Sequence, residues 1–165
     1  MVETLSVTQL QEEGKAAYQR CDYKEAAKRF KEAAEVYRSN KDESNAAEML
    51  NNLSVALLQA GDAKGAFQAV DGTEIFFATS GDIRRQAIAL GNRGAALEGQ
   101  KRYKEAIEAY SDAADLFEQI GESELLAPVM QSLARLQLRN GKAFQGLASI
   151  KAGLGEMKRP ALHQR

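Results

Sequence analysis

Residues 94–117, Gly94-Ala-Ala-Leu-Glu-Gly-Gln-Lys-Arg-Tyr-Lys-Glu-Ala-Ile-Glu-Ala-Tyr-Ser-Asp-Ala-Ala-Asp-Leu-Phe117, decide the fold. They read as two amphipathic helices joined by a tight turn. Small residues (Gly94, Ala106, Ala113) stand where the helices would touch, and Tyr103 and Tyr110 stand among them as wedges. Helices pack at about 8–10 Å between axes, and a Gly or Ala at the contact lets the backbones approach. Such a hairpin has apolar surface left over and needs copies of itself as neighbours.

The chain supplies them every forty residues. The small position of the first helix recurs at Gly14, Ser54, Gly94 and Ala134. Three residues on lie Ala17, Leu57, Leu97 and Gln137. Twelve on lie Ala26, Ala66, Ala106 and Gly146; sixteen on, Phe30, Val70, Tyr110 and Ile150; nineteen on, Ala33, Thr73, Ala113 and Gly153. Three units hold the pattern well and the fourth is degraded.

The stretches between keep helical spacing. Tyr23 to Tyr37 places Ala26, Ala27, Phe30, Ala33 and Ala34 on one face and Lys24, Lys28 and Lys31 on the other. Gly61-Asp62 and Gly81-Asp82 are stop-start signals, with glycine ending one helix and aspartate capping the next. Asp71-Gly72 falls inside the helix expected over 63–79, so either a neighbour approaches closely there or the helix is irregular. Pro128 is expected in the first turn of a helix over 124–140, where its missing N–H costs least. A weaker helix is expected over 142–157, followed by a frayed tail.

Composition agrees with an all-α chain: 165 residues, 44% hydrophobic, 27% charged, two prolines and no tryptophan. The net charge of −1 points to no polyanionic partner. Its distribution is uneven. Residues 105–127 hold seven acidic and no basic residues, whereas 128–165 hold seven basic residues against Glu156 alone. Cys21 is the only cysteine, which rules out an intrachain disulfide and suits a reducing compartment. The N-terminus has neither the basic start nor the apolar run of a secretory signal, and no window is apolar enough to span a membrane. The cytoplasm is the expected location.

The repeat resembles the tetratricopeptide repeat (TPR) family, whose unit carries a small residue and a large one three later in helix A, then alanine, aromatic, alanine in helix B. Gly94, Leu97, Ala106, Tyr110 and Ala113 match it, as do Gly14, Ala17, Ala26, Phe30 and Ala33. Ser54, Leu57, Ala66, Val70 and Thr73 match less well. The forty-residue unit is similar to the long-helix variety of kinesin light chain-like and signalling-adaptor repeats. The resemblance implies a right-handed superhelical solenoid of about four antiparallel helix pairs, eight helices, in one domain over 1–157. Its units are 5–40, 44–80, 83–120 and 124–157, with a tail at 158–165.

The resemblance also implies a peptide groove lined by the first helices. Carried over, the groove positions are Glu12, Lys15 and Tyr18; Asn52, Val55 and Leu58; Asn92, Ala95 and Glu98; Ser132, Arg135 and Leu138. Asn52 and Asn92 occupy the place where family members grip a peptide backbone, and an amide offers both donor and acceptor for that purpose. The clamp with which chaperone adaptors hold a C-terminal carboxylate is incomplete here.

Nothing in the sequence suggests catalysis. His163 is the single histidine and lies in the tail. Cys21 has no histidine near it in sequence, and the carboxylates lack metal-ligand spacing. Arg84-Arg85, Lys101-Arg102, Arg135 and Arg139 are too interrupted by acids for a nucleic-acid surface. The expected function is a non-catalytic module binding a protein or peptide partner, without cofactor or metal. The alternative is a structural protein that forms homo-oligomers through its terminal repeats.

Overall fold

The computed structural model describes residues 5–139 together with Ile150 and Lys151. Among these residues there are eight α-helices and no strands: α1 (Val7–Gln19), α2 (Tyr23–Ser39), α3 (Glu43–Gln59), α4 (Ala63–Val70), α5 (Thr73–Thr79), α6 (Ile83–Gly99), α7 (Tyr103–Ile120) and α8 (Ser123–Arg139). They stack as helical hairpins into an all-α solenoid. The helix expected over 142–157 and the tail with His163 lie outside the described residues, apart from Ile150 and Lys151.

The number eight is reached differently from the expectation. The second helix of the second unit is two helices, α4 and α5, parted at Asp71-Gly72. Of the two readings open for that glycine, the irregular helix is the observed one. Gly72 has φ 84°, a left-handed conformation that L side chains adopt only with strain. The freed backbone is then satisfied locally: Thr73 Oγ1 donates to the Val70 carbonyl at 2.8 Å.

The turns follow a shorter period than the packing. Cys21, Lys41, Gly61, Gly81, Lys101 and Gly121 all have positive φ, twenty residues apart. After each, the next residue donates its N–H to a carbonyl five residues back, from Asp22 to Ala17 through Glu122 to Phe117, at 2.9–3.0 Å. Each left-handed residue itself donates to the carbonyl three back. These two bonds are the Schellman closure of a helix C-terminus. Asp22, Asp42, Asp62 and Asp82 then accept from the backbone N–H three residues on, capping the following helix.

The small positions meet the large ones as the sequence spacing requires. A Cβ built on Gly14 would fall 2.8 Å from the Phe30 ring. Ala26, Ala33, Ala66, Ala106 and Ala113 are fully buried, and Ser54, Phe30 and Tyr110 are buried beside them. Pro128 sits one residue deeper than expected, at the sixth position of α8 and so just past its first turn, on an exposed face. There its ring costs one interior hydrogen bond.

Candidate functional site

Two cavities lie between successive first helices. The first, about 290 Å³, is lined by Lys15, Tyr18 and Gln19 of α1, Phe30 of α2, and Asn52 and Val55 of α3. Tyr18 is held edge-on against Tyr23, with ring centroids 5.3 Å apart. Lys15 reaches Glu12 at 2.9 Å on an exposed rim. The cavity therefore has an aromatic and aliphatic floor, one ammonium group and two amides, those of Gln19 and Asn52.

The second, about 280 Å³, lies between α3 and α6 and is lined by Glu48, Asn51, Asn52, Phe77, Arg84, Arg85 and Ile88. Arg84 Nε pairs with Glu122 at 2.9 Å. Arg85 donates to Ser44 Oγ at 3.0 Å and approaches Glu48 at 3.4 Å, with its guanidinium 5.8 Å from the Phe77 ring. Asn52 lines both cavities, so one amide stands at the junction of an apolar and a charged compartment.

Of the residues expected in a groove, Lys15, Tyr18, Asn52 and Val55 thus share one cavity. The others lie elsewhere. Leu58 packs toward the end of α6, its Cδ1 3.0 Å from where a Cβ on Gly99 would be. Asn92 Nδ2 donates to Asn51 Oδ1 at 3.0 Å, which turns its amide toward α3. Asn51 is buried and passes the chain on, donating to Thr73 Oγ1 at 3.1 Å and to the Ala47 carbonyl at 3.0 Å. Glu98 accepts from Arg135 Nη2 at 2.7 Å and from the Tyr110 hydroxyl at 3.1 Å, tying α6, α7 and α8 together. Burial, and then the nearby Glu98 charge, push the Tyr110 phenol well above its usual range. Leu138 is exposed near the end of α8.

Residues that the sequence reading missed are equally informative. Glu48 and Ile88 stand six before Ser54 and Gly94, one turn ahead of the carried-over positions, so the repeat itself held the signal. Arg84 and Arg85 were visible only as basic residues. Glu74 and Arg93 form an ion pair between α5 and α6, with Glu74 only 6% exposed and its Oε2 without a partner. No spacing rule marks that pair. Cys21 is exposed. Among the described residues no three His, Cys, Asp or Glu side chains gather as a metal site. No helix among them is long and apolar enough to cross a membrane.

The stacked hairpins and the clefts between their first helices define an all-α helical-repeat protein of TPR-like architecture. The family model of the soluble NSF attachment proteins (SNAP) matches residues 13–150, and the chain belongs to that family. No curated protein matches the sequence. Several solved structures share the fold. The apo form of RapI superposes with TM-score 0.84 at 13% identity over 93% of this chain. Putative kinesin light chain TPR-like repeats from Podosopora anserina give TM-score 0.79 at 13% identity, covering 95% of this chain and 78% of that one. MamA from Desulfovibrio magneticus RS-1 gives 0.70 at 18%, covering 93% and 76%. The chain spans 58% of the length of RapI.

Proposed function

We propose that this chain is a non-catalytic protein-interaction module that takes an extended peptide segment of a partner along the concave side of its solenoid. The repeat units read from the sequence, 5–40, 44–80, 83–120 and 124–157, act in this reading as one domain. The observation that carries the proposal is the position of Asn52 between the two cavities. Its amide can donate to and accept from one peptide group while flanking residues of the same peptide enter the compartments on either side. The first compartment suits an apolar side chain against Tyr18, Phe30 and Val55. The second offers the half-exposed guanidinium groups of Arg84 and Arg85 to a polar one. The family name denotes attachment to another protein, NSF, which supports a role in joining proteins.

The test is capture by the full chain carrying Asn52→Ala and Val55→Asp together. Partners recovered with wild type are expected to be lost, with the helical circular dichroism unchanged. Undiminished recovery of the same partners by the double variant would overturn the groove assignment.

A further inference from the structure

The two cavities are more positive than the chain that builds them. Their linings carry Lys15, Arg84 and Arg85 against Glu48 alone among the described residues, in a chain of net charge −1. Lys15 stands at the rim of the apolar compartment, and the two arginines stand together in the second. Arg85 is fixed in place. Its backbone N–H donates to Asp82 Oδ1 at 2.9 Å, and its guanidinium meets Ser44 Oγ at 3.0 Å, Glu48 at 3.4 Å, Asp82 at 3.5 Å and the Phe77 ring. Arg84 is held far less. Its side chain is 55% exposed, and only Nε is engaged, by Glu122 at 2.9 Å. Both Nη groups of Arg84 stand without an ion-pair partner among the described residues.

A guanidinium is a planar fork that the two oxygens of a carboxylate fit side by side. Glu122 takes the Nε side of Arg84, so the outer fork of its two Nη groups stays open to a second carboxylate. The Arg84–Glu122 pair is itself exposed, and such pairs are weak and readily exchanged in water. The two compartments lie on either side of α3, one helix width or about 10–12 Å apart. An extended chain advances about 3.3–3.6 Å per residue, so about three or four residues separate a side chain in one compartment from a side chain in the other.

We infer that the peptide segment taken by this groove is acidic: an aspartate or glutamate enters the second compartment onto the Arg84 guanidinium, about three or four residues from an apolar side chain seated against Tyr18, Phe30 and Val55. This ligand chemistry rests on the peptide groove proposed above. The Lys15 ammonium at the rim adds long-range attraction for the same segment. Glu122 competes with the incoming carboxylate for Arg84, and Glu48 repels it from inside the compartment, so both glutamates hold affinity down. An uncharged apolar segment fills the first compartment but leaves Arg84 on Glu122, and the groove discriminates against it.

Selection of random linear peptides displayed on phage against the full 165-residue chain tests this. Enriched peptides are expected to pair an apolar residue with Asp or Glu about three or four positions away. The tightest of them is then followed by fluorescence anisotropy. Replacing its acid by the corresponding amide is expected to raise Kd about tenfold against wild type and to leave it unchanged against Arg84→Gln. Glu122→Gln and Glu48→Gln are each expected to lower Kd for the acidic peptide by about two- to threefold, and not for its amide. All three substitutions lie at exposed or half-exposed positions, so the helical circular dichroism is expected to stay as in wild type. Enriched peptides that lack an acid, or an acid whose loss weakens binding as much in Arg84→Gln as in wild type, would overturn the ligand chemistry; the groove itself would stand if binding still needed Asn52 and Val55. No enrichment, or enriched peptides indifferent to Asn52→Ala with Val55→Asp, would overturn both.

Discussion

A Cβ placed on Gly94 would lie 2.8 Å from Cδ1 of Tyr110, sixteen residues along the chain. That is closer than carbon atoms pack, and Tyr110 is buried in the apolar cluster shared by α6, α7 and α8. The hydroxyl at the ring's far end is tied to Glu98, so the ring has little room to retreat. Gly94→Val is therefore expected to destabilise the chain by about 1–3 kcal/mol, and Ala106→Leu, at a fully buried position of the same cluster, by a similar amount. Thermal melts check this: each kcal/mol lowers Tm by about 2–4 °C in a chain of this size, and an unchanged Tm would contradict the packing.

Lys41 and Lys101 occupy left-handed positions that Gly61, Gly81 and Gly121 fill elsewhere. A side chain there costs about 1–2 kcal/mol, partly offset by the extra unfolded-state entropy of glycine. Lys41→Gly and Lys101→Gly are expected to stabilise the chain by up to about 1 kcal/mol each. Gly81→Ala is expected to destabilise it by a comparable amount. Urea denaturation of the three variants settles the sign, and a loss of stability in both glycine variants would be the contrary result.

The Asp42 carboxylate accepts from the Asn45 side-chain amide at 2.7 Å and from the Asn45 backbone N–H at 3.1 Å. These bonds, the side-chain one foremost, hold its pKa below the usual carboxylate value. A depressed folded-state pKa gives stability that is full above the unfolded value, about 4, and is lost as pH falls through the lower folded value. Asn45→Ala is expected to flatten the acid-side fall of stability measured by urea titration at successive pH values. Asp112 has the opposite sign. Its carboxyl is raised, so stability grows as pH falls through the raised value, and Asp112→Asn is expected to stabilise the chain at neutral pH.

Glu74 is buried with its charge met by Arg93 from the next helix, and Arg93 also lies 5.7 Å from the Phe67 ring. Removing the cation alone strands a buried carboxylate, whereas removing both charges does not. Arg93→Met is expected to cost about 3 kcal/mol, and Glu74→Gln added to it is expected to recover most of the loss. A double-mutant cycle by chemical denaturation reads the coupling, and strict additivity would show that the pair is not coupled.

The periodic features were legible in sequence and the cross-unit ones were not. Gly14, Gly94, Phe30 and Tyr110 could be aligned because packing in a repeat recurs with the repeat. Gly61-Asp62 and Gly81-Asp82 announced turns because glycine adopts the left-handed conformation freely. Cys21, Lys41 and Lys101 adopt it as well, yet nothing in their side chains says so; the Schellman bonds impose it. The break at Asp71-Gly72 was open as one of two readings of that glycine, but the buried polar chain beside it, from Asn92 through Asn51 to Thr73, joins units and is displayed by no single helix pattern. The same holds for the second cavity, since Arg84 and Arg85 acquire a wall only once α3 lies beside α6.

The twenty-residue turn and the forty-residue packing pattern bear on how such a chain can grow. Each of the six turns from Cys21 to Gly121 closes with the same backbone bonds, so a hairpin can be duplicated or deleted whole without inventing a new junction. A forty-residue excision from one left-handed residue to the next but one would restore the alternation of first and second helices. A twenty-residue excision would leave every turn chemically correct and yet place an outward-facing helix against a groove. Length in this architecture is therefore quantised in pairs of helices, and the turns alone do not enforce the quantum; the small-to-aromatic contacts do.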